Sequence, residues 1–177
     1  QGEFRVVYAG NLGKMQNVEL LLKTAALMKD DTDVSFYIVG GGVNETQLKA
    51  FAKEKELNNV TFVGMQPPEE VADLYAAADV NVIPLQKGLI YAALPSKTAD
   101  CLIAGKPIIT CVDEESKFAK LVEENGVRNA NNDSPDNLGS IIGFIKKGMY
   151  KEKTKTLKAI FQRNSNVSEY CKQIEML

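Results

Sequence analysis

The chain is predicted to fold as an α/β protein, a doubly wound parallel sheet with helices on both faces. Three observations carry that prediction. Short apolar runs of strand length alternate with segments of helical periodicity from one end to the other. Breaks containing glycine or proline follow the successive strands of the first half. Hydrophobic residues make up 45% of the 177 positions, enough for one domain of ordinary size with a real core.

Phe4–Ala9 reads as the first strand, and Gly10-Asn11-Leu12-Gly13 ends it. Apolar residues at positions 18, 21, 22, 25 and 28 have helical spacing, so a helix is expected over 18–28. Val34–Val39 is the second strand, stopped by Gly40-Gly41-Gly42. Asn44 is the expected cap of a helix running to position 56, with Leu48, Phe51 and Ala52 facing inward. A third strand over 59–63 leads into a loop from Gly64 to Pro68, and Pro67 and Pro68 open an amphipathic helix over 69–78. Val80–Pro84 is the fourth strand, and a loop over 85–94 leads to the next helix and a strand at 107–111. The remainder reads as a helix over 115–124, a strand over 126–130, helices over 135–148 and 151–163, and a terminal helix over 167–177. Val167, Tyr170, Cys171, Ile174 and Leu177 form an apolar stripe on that last helix. Repeated βα units of this kind make a Rossmann-like sheet, in one domain covering residues 1–177.

Composition excludes several functions. The net charge is −2 with both signs interspersed, so no basic stripe suggests nucleic acid or an anionic membrane surface. The apolar runs are strand-sized, and no transmembrane segment is expected. Histidine is absent, which removes Ser-His-Asp and Cys-His nucleophiles and the commonest zinc ligand. Cys101, Cys111 and Cys171 have no metal or redox spacing and are expected as small buried hydrophobes. The start Gln1-Gly2-Glu3-Phe4 suggests that a segment upstream is missing.

The most informative stretch is LPSKTADCLIAGKPIIT over 94–110. Pro95, Ser96, Lys97 and Asp100 stand at a helix start, where backbone N–H groups and the dipole favour an anion. Lys97 adds a cation and Ser96 a hydroxyl, and Asp100 lies one helical step from Lys97, within reach of the same ligand. An ordinary capped helix with a Lys97–Asp100 ion pair is the plain alternative. In open parallel sheets, ligands lie beyond the carboxyl ends of the strands. The loops there hold Gly10 to Gly13, Gly40 to Gly42, Gly64 to Pro68 and the approach to Lys97, with Lys14 close by. Together they form one rim of backbone donors suited to a nucleotide or sugar phosphate. The first loop, GNLGKMQ, lacks GxGxxG, and GxxxxGK[ST] is absent, so dinucleotide binding and a P-loop are excluded.

With these residues in place, the chain resembles the C-terminal, nucleotide-sugar-binding half of a GT-B glycosyltransferase of the GT4-like group. The matching pieces are YAGNLGKMQNVELLL over 8–22, FYIVGGG over 36–42, VTFVGMQPPEEVADLYAAADVNVIP over 60–84 and LPSKTADCLIAGKPII over 94–109. The LPSK form is similar to bacterial members that build surface polysaccharides with hexosamine-type sugars. The resemblance implies that Gly10, Asn11, Gly13 and Lys14 face the donor diphosphate, with Gly40 and Gly41 on the same rim. Gly64, Met65 and Gln66 would meet the base, and Pro95, Ser96 and Lys97 the phosphates. Asp100 would hold the ribose. Family members often carry an Arg and a Lys in the first loop; Asn11 and Gln16 stand there instead. Of the two glutamates that such enzymes often space eight residues apart, the second falls on Asp100 and the first on Ala92.

The resemblance further implies transfer of a hexose or hexosamine-type sugar from a UDP-sugar to an acceptor, with retention of configuration, no metal and no cofactor. Lys97 and Lys14 would stabilise charge on the departing diphosphate. It implies an N-terminal acceptor-binding domain as partner, reached by helix 167–177. It also implies a cytoplasmic location, peripheral to the inner face of the membrane in the full-length protein. A non-catalytic nucleotide-sugar-binding or scaffold module is the alternative that Ala92 and the missing basic residues favour.

Overall fold

Alternation along the first strand shows how the sheet is built. β1 (Phe4–Ala9) sends Val6 and Tyr8 into one hydrophobic layer and Val7 and Ala9 into the other, and all four are buried. A strand covered on both faces requires this. The computed structural model describes residues 2–92, 95–150 and 154–163. Within them, β1 is joined by β2 (Val34–Val39), β3 (Val60–Val63), β4 (Val80–Pro84), β5 (Ile108–Cys111) and β6 (Arg128–Ala130). The six-stranded sheet has the order β3-β2-β1-β4-β5-β6, and every pairing is parallel. The doubly wound Rossmann-like fold expected from the sequence is the fold observed.

The helices are α1 (Val18–Leu27), α2 (Glu45–Glu54), α3 (Val71–Ala77), α4 (Lys97–Ala104), α5 (Lys117–Glu124), α6 (Pro135–Lys146) and α7 (Lys155–Arg163). Leu20, Leu21 and Leu22 of α1, Leu48 of α2 and Leu138 and Ile142 of α6 fill one layer with Phe36 and Ile38 of β2. Tyr75 of α3, Leu102 of α4, Phe118 and Val122 of α5 and Leu157 of α7 fill the other with Ile83 and Ile108. Cys101 and Cys111 are buried among them as free thiols, and burial pushes the Cys101 thiol up to about 12.

Several boundaries differ from the sequence reading, each for a local reason. Asn44 precedes α2, but its side chain makes no capping bond; its backbone N–H instead donates to the Leu12 carbonyl at 2.9 Å. α5 starts at Lys117 rather than at position 115, because the Ser116 hydroxyl accepts the Ala119 N–H at 3.1 Å and fixes the start there. A tight 3-10 turn over Pro68–Glu70 occupies the beginning of the expected helix 69–78. The strand expected over 126–130 pairs only over Arg128–Ala130. The helix expected over 151–163 is seen as α7, whereas Leu94, Cys171 and the expected helix 167–177 lie outside the described residues. No helix among the described residues is long and apolar enough to cross a membrane.

Candidate functional site

Strand order reverses between β1 and β4, and the loops after β1, β2, β3 and β4 gather beyond the carboxyl ends of those strands. The first two loops are locked together by their backbones. The Gly10 N–H donates to the Val39 carbonyl and the Leu12 N–H to the Gly41 carbonyl, each at 2.9 Å. A methyl group on Gly40, whose φ is +130°, would overlap the carbonyl oxygen of Gly10. One on Gly42 would lie 2.6 Å from the Leu12 carbonyl carbon. Gly40 and Gly42 are therefore there for close approach of two backbones.

Lys97 begins α4 on one side of the sheet, and its side chain crosses the end of β1. Its Nζ lies 5.2 Å from the centroid of the Tyr8 ring. The ε-carbon and amine rest directly on the α-carbon of Gly10, in the space that a methyl group there would fill. Burial pulls the lysine below its ordinary pKa, and no carboxylate among the described residues pairs with it. The plain reading of this segment, a Lys97–Asp100 ion pair on an ordinary helix, is therefore not what forms. Asp100 is exposed on the same helix. A desolvated ammonium without a counterion is a costly arrangement that an anionic ligand relieves.

The start of α4 differs from the sequence reading. Ser96 is exposed, lies in the helical region and makes no side-chain cap. The Thr98 N–H donates to the Pro95 carbonyl at 3.1 Å and the Ala99 N–H to the Ser96 carbonyl at 3.3 Å, so a turn takes up donors expected to be free. Donors are found instead in the β1 loop, where the Asn11 and Gly13 N–H groups have no acceptor among the described residues. The Asn11 and Gln16 side chains converge on the space that a methyl group on Gly13 would fill. Gln16 Oε1 is buried there without a partner among the described residues.

Lys14 lies apart from Lys97. It is exposed in a 3-10 turn over Lys14–Gln16 and opens, with Gly13, onto a cleft of about 320 Å³ between α1 and α2 that Lys97 does not line. Met65 is exposed, with its methyl against Gly41, and the Gln66 amide donates back to the Gly64 carbonyl at 3.1 Å. Ala92, exposed in the β4–α4 loop, brings no carboxylate. No cluster of three or more metal-ligating side chains occurs among the described residues.

Two contributors escaped the sequence reading. Tyr8, at the end of an apolar strand, looks like core, and nothing in the sequence announces the lysine above it. Asp113 follows β5, and its two carboxylate oxygens accept the Gly88 N–H at 3.1 and 2.9 Å, clamping the β4 loop. Its position just past a strand's carboxyl end is the signal that would have found it.

The fold is shared with known glycosyltransferases. The family model described as glycosyl transferases group 1 matches residues 1–134. A probable glycosyltransferase of Pseudomonas aeruginosa, WbjE, is 27% identical over 120 residues, which cover 68% of this chain and 30% of that protein. The crystal structure of Anabaena HepE in complex with UDP-glucose superposes with a TM-score of 0.72 at 18% identity, over 98% of this chain and 48% of that one. The catalytic domain of the cholesterol-α-glucosyltransferase from Helicobacter pylori superposes with a TM-score of 0.65 at 18% identity, over 97% of this chain and 96% of that one. The chain thus spans about a third of WbjE and about half of HepE. With a match over three quarters of its length, this GT-B-fold, glycosyltransferase-like chain belongs to the glycosyl transferases group 1 family.

Proposed function

We propose that residues 1–177 are the single, Rossmann-like donor-binding half of a retaining glycosyltransferase, which transfers a hexose or hexosamine-type sugar from UDP to an acceptor in polysaccharide or glycolipid synthesis. The observation that carries this reading is Lys97, an unpaired and partly desolvated ammonium resting on Gly10, next in the chain to Asn11, whose N–H is free. Fixed donors and a cation at one point suit a diphosphate, whose charge grows as the sugar leaves. Lys97 meets that charge in the transition state, and Lys14, on its mobile-length side chain at the rim, approaches from solvent. Gly10, Asn11, Gly13, Gln16, Gly40 and Gly41 cradle the phosphates with Pro95 and Ser96. Gly64, Met65 and Gln66 meet the uracil through backbone groups, and Asp100 accepts the ribose hydroxyls. No metal or cofactor is required of these residues.

An acceptor-binding domain upstream, contacted by helix 167–177, completes the cleft, and the full-length protein works in the cytoplasm at the inner membrane face. Four of the exposed large apolar side chains support such a partner: Met15, Val43, Met65 and Tyr91 stand on the loops after β1, β2, β3 and β4, around the glycine rim. Ala92 favours the second reading, a nucleotide-sugar-binding module without catalysis, since the sugar then lacks one carboxylate contact.

Ligand-observed NMR of the chain with UDP, GDP, ADP and a panel of UDP-sugars tests the proposal. UDP and at least one UDP-sugar are expected to bind, and a Lys97→Ala, Asp100→Ala double variant to lose about tenfold or more in affinity. Equal, weak signals from every nucleotide, unchanged in the variant, would sink it. Restored transfer on joining an upstream domain separates the enzyme from the binding module.

A further inference from the structure

We infer that Tyr8 is a positioning residue of the diphosphate site: its ring seats the Lys97 ammonium over Gly10 while its hydroxyl ties down the first loop so that the loop's N–H groups face the ligand. This rests on the donor-site reading and adds to it a residue that touches neither phosphate nor sugar.

Tyr8 is buried at the end of β1 and makes two contacts at once. The ring lies 5.2 Å beneath Lys97 Nζ. A partly buried ammonium needs some compensation, and a carboxylate would give it at the cost of neutralising the charge and competing with the phosphate. A ring face attracts the cation while accepting none of its N–H bonds strongly, so all three donors stay available. Gly10 completes the seat, because any side chain there would occupy the space of the lysine.

The second contact is the Tyr8 hydroxyl, which donates to the Asn11 carbonyl at 2.6 Å. Burial raises the phenol well above its ordinary pKa, so it remains a donor. The same peptide unit is held at its other end by the Leu12 N–H on the Gly41 carbonyl, and the Leu12 carbonyl accepts the Asn44 N–H. With the Asn11 and Leu12 carbonyls engaged inside the protein, the unpaired N–H of the exposed Asn11 next to Gly10 is left for an anion. Tyr8 thereby sets the cation and the backbone donors in one register.

The test is UDP binding by the 177-residue chain, measured by calorimetry at fixed salt for Tyr8→Phe and Tyr8→Leu, each with and without Lys97→Ala. Going from Phe to Leu at position 8 removes the ring alone. That step is expected to weaken UDP about fivefold when Lys97 is present and less than about twofold when it is Ala. Tyr8→Phe is expected to cost about threefold in both backgrounds and to speed amide exchange at Asn11 and Gly13. The unaltered chain should also show the Lys97 ε-methylene protons shifted upfield by the ring, a readout that needs no variant to fold. Equal losses with and without Lys97, or a Lys97 methylene at its ordinary position, would overturn the inference while leaving the donor site intact. Failure of the unaltered chain to bind UDP would overturn both.

Discussion

The two sides of the glycine rim are built differently. On the β1–β2 side, Gly40 abuts the Gly10 backbone, Gly42 abuts Leu12, and Gly10 carries the Lys97 side chain. On the β3–β4 side, a methyl group added at Gly64 or Gly88 would meet nothing within 4 Å. That second side is held by side chains: Asp113 clamps Gly88, Lys87 pairs with Asp133 at 2.9 Å, and the Gln66 amide curls onto Gly64. One side is thus a rigid backbone joint and the other a set of adjustable polar tethers. A diphosphate calls for fixed donors, whereas base and sugar specificity is easier to vary on tethered loops.

The comparison is broken most severely at the joint. Gly40→Ala combines an unfavourable φ with overlap of a main-chain oxygen that cannot move away. It is expected to cost about 3–5 kcal/mol and to lower Tm by about 10 °C in thermal unfolding followed by circular dichroism. Gly10→Ala meets only the end of a flexible lysine, so its folding cost is expected to be smaller, about 1–3 kcal/mol. Its signature is functional: UDP affinity should fall by as much as in Lys97→Ala, because the ammonium has lost its seat, and the two changes together should cost no more than either alone. Should Gly10→Ala leave UDP binding intact, the placement of Lys97 would be irrelevant to the ligand.

Smaller effects are expected on the tethered side. Asp113→Ala removes the acceptor for the Gly88 N–H and is expected to cost about 1 kcal/mol, with faster hydrogen exchange confined to the loop over 86–92. Asp113→Asn, which keeps one oxygen acceptor, should recover part of that protection. Gly64→Ala is expected to change stability by less than about 0.5 kcal/mol, since its backbone is in an ordinary region and the space is open. A loss there as large as at Gly40 would erase the distinction between the two sides.

Much of the fold was legible from periodicity. Val18, Leu21, Leu22 and Ala25 of α1 and Leu48 and Ala52 of α2 lie where their spacing put them, because burial on one face of a helix imposes the repeat directly. Helix starts were less legible: Asn44, the expected cap, and Ser96, at an expected start, make no capping bond, whereas Ser116, inside the expected helix, does. Whether a hydroxyl or amide caps a helix depends on the entry angle of the chain, which distant packing sets. Within the site, the glycine loops and Lys97 were visible as motif pieces, whereas Tyr8 and Asp113 were not. Their partners lie far along the chain, at positions 97 and 88.

The sequence by itself determined the order of βα units, the absence of histidine chemistry in this chain and the glycine loops at the carboxyl ends of the first strands. These follow from composition and local periodicity, which act over a few residues. Only the tertiary structure decided that Lys97 rests on Tyr8 and Gly10 rather than pairing with Asp100, and that Lys14 opens onto a separate cleft. Those outcomes depend on which side chain reaches which empty space once six strands have closed up, and a linear pattern of residues does not contain that distance.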